Sequence, residues 1–220
     1  METEILANLG KAVKEYDPTE AASLATRAMD LGIEPSLALD ALTESIREVG
    51  DAFGTGELFL PQLVGAAEAL QAAMPIVEDV IKARGETRAS TGKVVTGTVF
   101  GDIHNIGKAI FSTLLTADGF EVIDLGINVP MESFVETVKR EQPDVLAMSA
   151  LLTITAREQK NVIEAIEAAG LRDNLKVIVG GGAISKQFAE SIGADGYSPT
   201  APGGVSLTRD LLQDLKKGSS

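Results

Sequence analysis

The residues best equipped for chemistry lie in one short run, Gly101-Asp102-Ile103-His104-Asn105-Ile106-Gly107. His104 is the single histidine of the chain, and cysteine is absent, which excludes disulfides, thiol nucleophiles and thiolate metal sites together. A carboxylate that accepts the proton of one imidazole nitrogen fixes the tautomer and leaves the other nitrogen's lone pair free, and more basic, for a metal. Asp102 is spaced to do this for His104. A lone histidine does not hold zinc or copper without further ligands, and the nearby carboxylates show no ligand-like spacing around it. A metal already chelated by a macrocycle needs only one. Asp-x-His is also the pattern of a loop ion pair or of a hydrogen-bonded helix start, and the spacing alone does not decide between these readings.

The elements that must position this run follow from periodicity. From Lys93 onward, short β-branched runs alternate with amphipathic helices: Val94–Val99, a helix from Gly107, Glu121–Leu125, a helix from Met131, Val145–Ser149, a helix from Ala156, Val177–Val179, a helix from Ser185, Gly196–Tyr197, and a helix from about Gly203. This predicts a five-stranded parallel α/β sheet of Rossmann-like (flavodoxin-like) type, spanning 92–217. Such sheets bind ligands at the carboxyl ends of their strands, beside the point where strand order reverses. Before Arg84 the apolar residues recur at helical spacing, predicting four helices at about 3–16, 18–31, 35–52 and 60–84, an N-terminal four-helix bundle over 1–84. Residues 85–91 are polar and aperiodic, as a linker is. Gly180-Gly181-Gly182 by itself reads as a loose strand-end turn, Ser149 as an ordinary strand end, and Phe53 and Leu60 as bundle core.

Hydrophobic residues are 45% and charged residues 23% of the chain, ordinary for a soluble globular protein, and no stretch is long and apolar enough for a membrane span. Met1 runs straight into Glu2 and Glu4 with no secretory pattern, so a cytoplasmic location is expected. The net charge of -13 disfavours nucleic acid and anionic membranes as partners.

Three separated blocks, Asp102-x-His104-x-x-Gly107, Ser149-x-Leu151 and Gly180-Gly181, match in sequence and spacing the signature of cobalamin-binding domains. The resemblance extends into the helical part, where Gly50-Asp51-Ala52-Phe53 and Gly56-Glu57-Leu58-Phe59-Leu60-Pro61-Gln62 look like the cap preceding that domain in methionine synthase and in methyltransferase corrinoid proteins. It implies cobalamin bound base-off, with the dimethylbenzimidazole tail buried in the α/β domain and His104 as the lower cobalt ligand. Asp102 is then its hydrogen-bond partner, with Ile103 and Gly107 beside it. Thr155 falls where methionine synthase carries a serine beyond the aspartate, a departure in residue type that keeps the hydroxyl. Ser149, Leu151, Thr153 and Gly180 to Gly182 are assigned to the tail channel, and Phe53 and Leu60 to the methyl-bearing face of the corrin.

The implied function is a methyl carrier that cycles between cob(I)alamin and methylcob(III)alamin, a subunit of a methyltransferase system rather than a stand-alone enzyme. It takes the methyl group of a methylated amine, a betaine or methanol through a substrate-specific corrinoid methyltransferase. A second methyltransferase, serving tetrahydrofolate or a thiol coenzyme, removes it, and a reductive activator of the corrinoid is a further implied partner. A cobalamin-dependent sensor reuses the same cap and binding domain but normally appends a DNA-binding module, and no basic helix-turn-helix segment is present. The cobalamin subunit of a carbon-skeleton mutase usually lacks the helical cap, and a flavodoxin-like or receiver domain leaves the three blocks unexplained.

Overall fold

The computed structural model describes residues 2–84 and 91–218. By its internal contacts the chain divides into two compact units, Met1–Ser90 with Ala117–Gly119, and Thr91–Thr116 with Phe120–Ser220. Of the linker expected over 85–91, only Thr91 lies within the described residues.

The first unit holds helices α1 (Glu2–Lys14), α2 (Pro18–Asp30), α3 (Pro35–Thr55) and α4 (Leu60–Ala83). Leu9, Leu42, Ile46, Leu63 and Leu70 fill its interior and are almost fully buried. Each start has a local cause. Asp17 accepts the Glu20 N–H at 2.9 Å and Pro18 stands in the first turn of α2, while α3 and α4 also carry proline in their first turn. Helix α3, expected to end at about residue 52, continues to Thr55 and ends where Gly56 takes a left-handed φ of 81°.

The second unit is a parallel sheet with strand order β2-β1-β3-β4-β5, formed by β1 (Lys93–Thr98), β2 (Glu121–Asp124), β3 (Val145–Ser149), β4 (Lys176–Gly180) and β5 (Gly196–Tyr197). Its helices are α5 (Ile106–Ala117), α6 (Met131–Glu141), α7 (Thr153–Ala168), α8 (Lys186–Ser191) and α9 (Ala201–Gly218). The α/β architecture is the one the alternation predicts. Four helix starts differ from expectation: α5 begins one residue early, α8 one residue late because Ser185 is its cap, α7 at Thr153 rather than Ala156, and α9 at Ala201 rather than Gly203. Apolar periodicity marks where a helix begins to bury a face, and the first turn can precede that point.

Strand alternation gives the sheet two unlike faces. Val95, Leu146, Met148, Val177 and Val179 join Phe134 and Val138 of α6 and Val162, Ile163 and Ile166 of α7 in one apolar cluster. The opposite face carries Thr96, Thr98, Ala147, Ser149, Ile178 and Gly180, mostly small or hydroxylated. Thr96 shares a hydrogen bond with Ser112 of α5 at 3.0 Å, which places α5 on this second face. After β1 the chain pairs β2 on one side and, later, β3 on the other, so strand order reverses between β1 and β3. The run from Gly101 to Gly107 leaves the sheet at that switch point. No helix among the described residues is long and apolar enough to cross a membrane.

Candidate cobalamin site

Asp102 is almost completely buried, 1% exposed, at the switch point. A carboxylate there needs hydrogen-bond donors, and two chain segments supply them. Its Oδ1 accepts the His104 backbone N–H at 3.0 Å and faces His104 Nδ1 at 2.6 Å. Its Oδ2 accepts the Leu151 N–H at 2.8 Å and the Thr155 hydroxyl at 2.7 Å. Burial alone pushes an Asp carboxyl up, but the Thr155 hydroxyl, the His104 backbone and ring and the Leu151 N–H together outweigh it and hold Asp102 well below the usual carboxylate range. An ionised carboxylate has no proton to give, so His104 Nδ1 is the donor. In the neutral ring this leaves the lone pair on Nε2, and the side chain is 47% exposed.

The same carboxylate completes α7. That helix starts from Leu152 with no side-chain cap of its own, and Asp102 brings an anion to the Leu151 N–H and the Thr155 hydroxyl of its first turn. Asp102 therefore joins the β1–α5 loop to the β3–α7 loop.

Beside this group lies a cleft of about 890 Å³ on the face of the sheet that carries α5. Its floor is Ala147, Ser149, Ile178 and Gly180, and its walls include Phe111 of α5 and Gly204 of α9. The small residues of that face leave the space. A Cβ on Gly204 would come within 2.9 Å of the Phe111 ring, so glycine lets the two helices close at this level. His104, Ile103, Gly107, Leu151, Gly181 and Gly182, all expected in the site, line the same cleft. Gly181 has a φ of 113°, and a Cβ there would lie 1.9 Å from the Ala150 carbonyl oxygen, so the strand-end turn at β4 admits only glycine. Thr153, expected in the channel, is instead an exposed first residue of α7 outside the cleft lining, because α7 begins there and not at Ala156. Phe53, near the end of α3, and Leu60, the first residue of α4, are half-buried residues of the helical unit.

Lys108, Tyr197, Ser198 and Thr200 also line the cleft without having been expected there. Lys108 is buried and ion-paired with Asp124 at the end of β2, a partner that its own sequence neighbourhood does not announce. Ser198-x-Thr200 ahead of Ala201-Pro202-Gly203-Gly204 is a recognisable helix start, and it was the signal available for the α9 edge.

Two family models, each described as a B12 binding domain, match residues 92–205 and 5–78. The chain belongs to the B12-binding corrinoid proteins. Among its relatives, trimethylamine corrinoid protein 1 of Methanosarcina acetivorans is 40% identical over 95% of this chain and 97% of its own. The dimethylamine corrinoid protein of Methanosarcina barkeri is 42% identical over 82% of this chain and 84% of its own. Among solved structures, the methanol:cobalamin methyltransferase complex MtaBC of Methanosarcina barkeri aligns with a TM-score of 0.86 at 28% identity, covering 96% of this chain and 80% of that one.

The cofactor of the family, and of this chain, is cobalamin, and the residues fit it. Among the described residues no group of three or more His, Asp or Glu could hold a bare metal ion, so a metal meeting His104 has to bring its other ligands with it. A Cβ on Gly107 would meet nothing within 4 Å, although the residue lines the cleft, so the space beside it is free for a ligand. Ile103 and Ile106, 69% and 71% exposed, flank His104, and Ile127, Leu151 and Leu152 are also exposed on the loops of this edge. Apolar surface left open around one imidazole suits a broad, largely apolar ring.

The Asp102 carboxylate generates a pH-dependent expectation. Its folded pKa lies below that of an unfolded aspartate, about 3.9, so its contribution is complete above that pH and is lost as pH falls further. Asp102→Asn is expected to lower the unfolding free energy near neutral pH by about 2 kcal/mol and to flatten the loss of stability below about pH 4. Urea titrations across pH check both, and a variant as stable as wild type with the same acid slope would contradict the assignment.

Proposed function

We propose that this chain is a methyl carrier in which His104 Nε2 is the lower axial ligand of a base-off corrinoid, with the displaced nucleotide tail in the cleft between α5 and α9. The observation that carries this reading is the Asp102–His104 pair itself. An anion fixed by donors from two loops holds Nδ1–H and turns the remaining lone pair outward at the sheet's carboxyl edge. When bound, the cobalt supplies both the nucleophile that accepts a methyl group and the bond that carries it. The protein's part is ligation and access. With cobalamin bound, Asp102 would keep Nδ1 as the donor and so present Nε2 to the metal, and Thr155, donating to the same carboxylate, would temper the charge that the ring faces. Ser149, at the carboxyl end of β3, and Gly180 to Gly182 are the lining available to the tail.

The methyl donor proposed is a methylated amine, a betaine or methanol, delivered by a substrate-specific methyltransferase, with a second methyltransferase as acceptor and a reductive activator to restore the reduced metal. The amine corrinoid proteins among the relatives and the MtaBC complex among the structures support this reading. Cobalamin-loaded protein, assayed with methyltransferases encoded beside it against trimethylamine, dimethylamine, betaines and methanol, is expected to become methylated from one of these donors. A sensor would bind cobalamin and accept a methyl group from none.

Phe53 and Leu60 are proposed, on the family resemblance, to shield the methyl-bearing face. Replacing both with alanine is expected to leave cobalamin binding in place and to speed photolysis of the methylated protein. Unchanged photolysis would return the pair to the helical core.

A further inference from the structure

The loop that carries His104 is held from outside by a residue that touches neither the imidazole nor the cleft. Asn128, between β2 and α6, sits at a φ of 52°, a left-handed conformation that asparagine tolerates better than most residues. In that conformation its backbone N–H donates to the Asp102 carbonyl at 2.9 Å, and its side-chain Oδ1 accepts the Gly101 N–H at 2.8 Å. Gly101 is itself left-handed, with a φ of 78°. One residue thus grips the two peptide groups on either side of the Gly101–Asp102 bond, the segment that aims the Asp102 carboxylate. The next residue, Val129, anchors the grip to the sheet, donating to the Thr98 carbonyl at 3.0 Å and bridging in parallel to Val99. Left-handed non-glycine residues carry a backbone cost and persist where the surroundings require them.

We infer that Asn128 is a positioning residue for the axial ligand: through Gly101 and Asp102 it sets the orientation of the His104 imidazole. The inference rests on His104 being the cobalt ligand, and its consequence for the ring can be read with no cobalamin present. His104 is the chain's only histidine, so ¹⁵N-histidine labelling gives one unambiguous pair of ring-nitrogen resonances. In wild type, at a pH where the ring is neutral, these should mark the proton on Nδ1. Asn128→Gly keeps the left-handed backbone and removes the carboxamide, and Asn128→Asp keeps an acceptor oxygen facing Gly101.

In metal-free Asn128→Gly the two ring shifts are expected to move toward each other as the tautomers average. In the cobalamin-loaded variant the ratio of histidine-ligated to unligated cob(II)alamin, read by electron paramagnetic resonance, is expected to fall by about three- to tenfold, the effect of one lost hydrogen bond. Asn128→Asp should restore both readings. Wild-type ring shifts and ligated fraction in Asn128→Gly would overturn the inference. So would Asn128→Asp disturbing the ring as much as Asn128→Gly, a result that holds even where the glycine variant folds poorly. Loaded wild type with no histidine-ligated cobalt would instead sink the ligation reading, and the metal-free ring shifts would still judge Asn128.

Discussion

The structure of the α/β unit turns on one buried charge. Asp102 leaves β1 at the point where strand order reverses, and its carboxylate can exist there only because donors from its own loop and from the start of α7 converge on it. The same set of bonds has three consequences. It pins the loops of two neighbouring strands together, it provides α7 with the capping anion its own residues lack, and it commits His104 Nδ1 to donating. A histidine so held differs from an ordinary loop histidine in that one nitrogen is spoken for and the other is aimed.

The second constraint is volume. A sheet with large aliphatic side chains on both faces would close over its carboxyl edge. Here one face is packed with valine, leucine and methionine against α6 and α7, while the other sets Ala147, Ser149 and Gly180 beneath the gap between α5 and α9. The cleft follows from that asymmetry, and it opens beside the imidazole because both stand at the ends of the same strands. Gly181 lets the β4 turn pass against the Ala150 carbonyl, a backbone approach that no side chain permits.

Much of this was legible in the sequence, for reasons that differ by feature. The sheet and the four N-terminal helices follow from period-two and helical apolar patterns, which burial imposes directly. Asp102, His104 and Thr155 were legible as a set only through family spacing, because hydrogen bonds between residues so far apart in sequence leave no local trace. The start of α7 was misplaced for the same reason, since the anion at its first turn comes from another loop, whereas that of α9 was misplaced because its Pro202 turn precedes its apolar face. Thr153 moved out of the expected channel with that shift. Lys108 with Asp124, and Asn128 with Gly101, are pairings of tertiary structure whose members look, in sequence, like ordinary surface residues.

Ligation of cobalt by His104 is most directly tested by electron paramagnetic resonance of the cob(II)alamin-loaded protein, prepared with natural-abundance histidine and with ¹⁵N-histidine. Because the chain has one histidine, the label reports on His104 alone. Ligation by His104 predicts that each cobalt line, split into three by an axial ¹⁴N, becomes split into two when histidine carries ¹⁵N. A three-line pattern that survives the labelling would place the cofactor's own base, or another nitrogen, on the metal and would contradict the ligation.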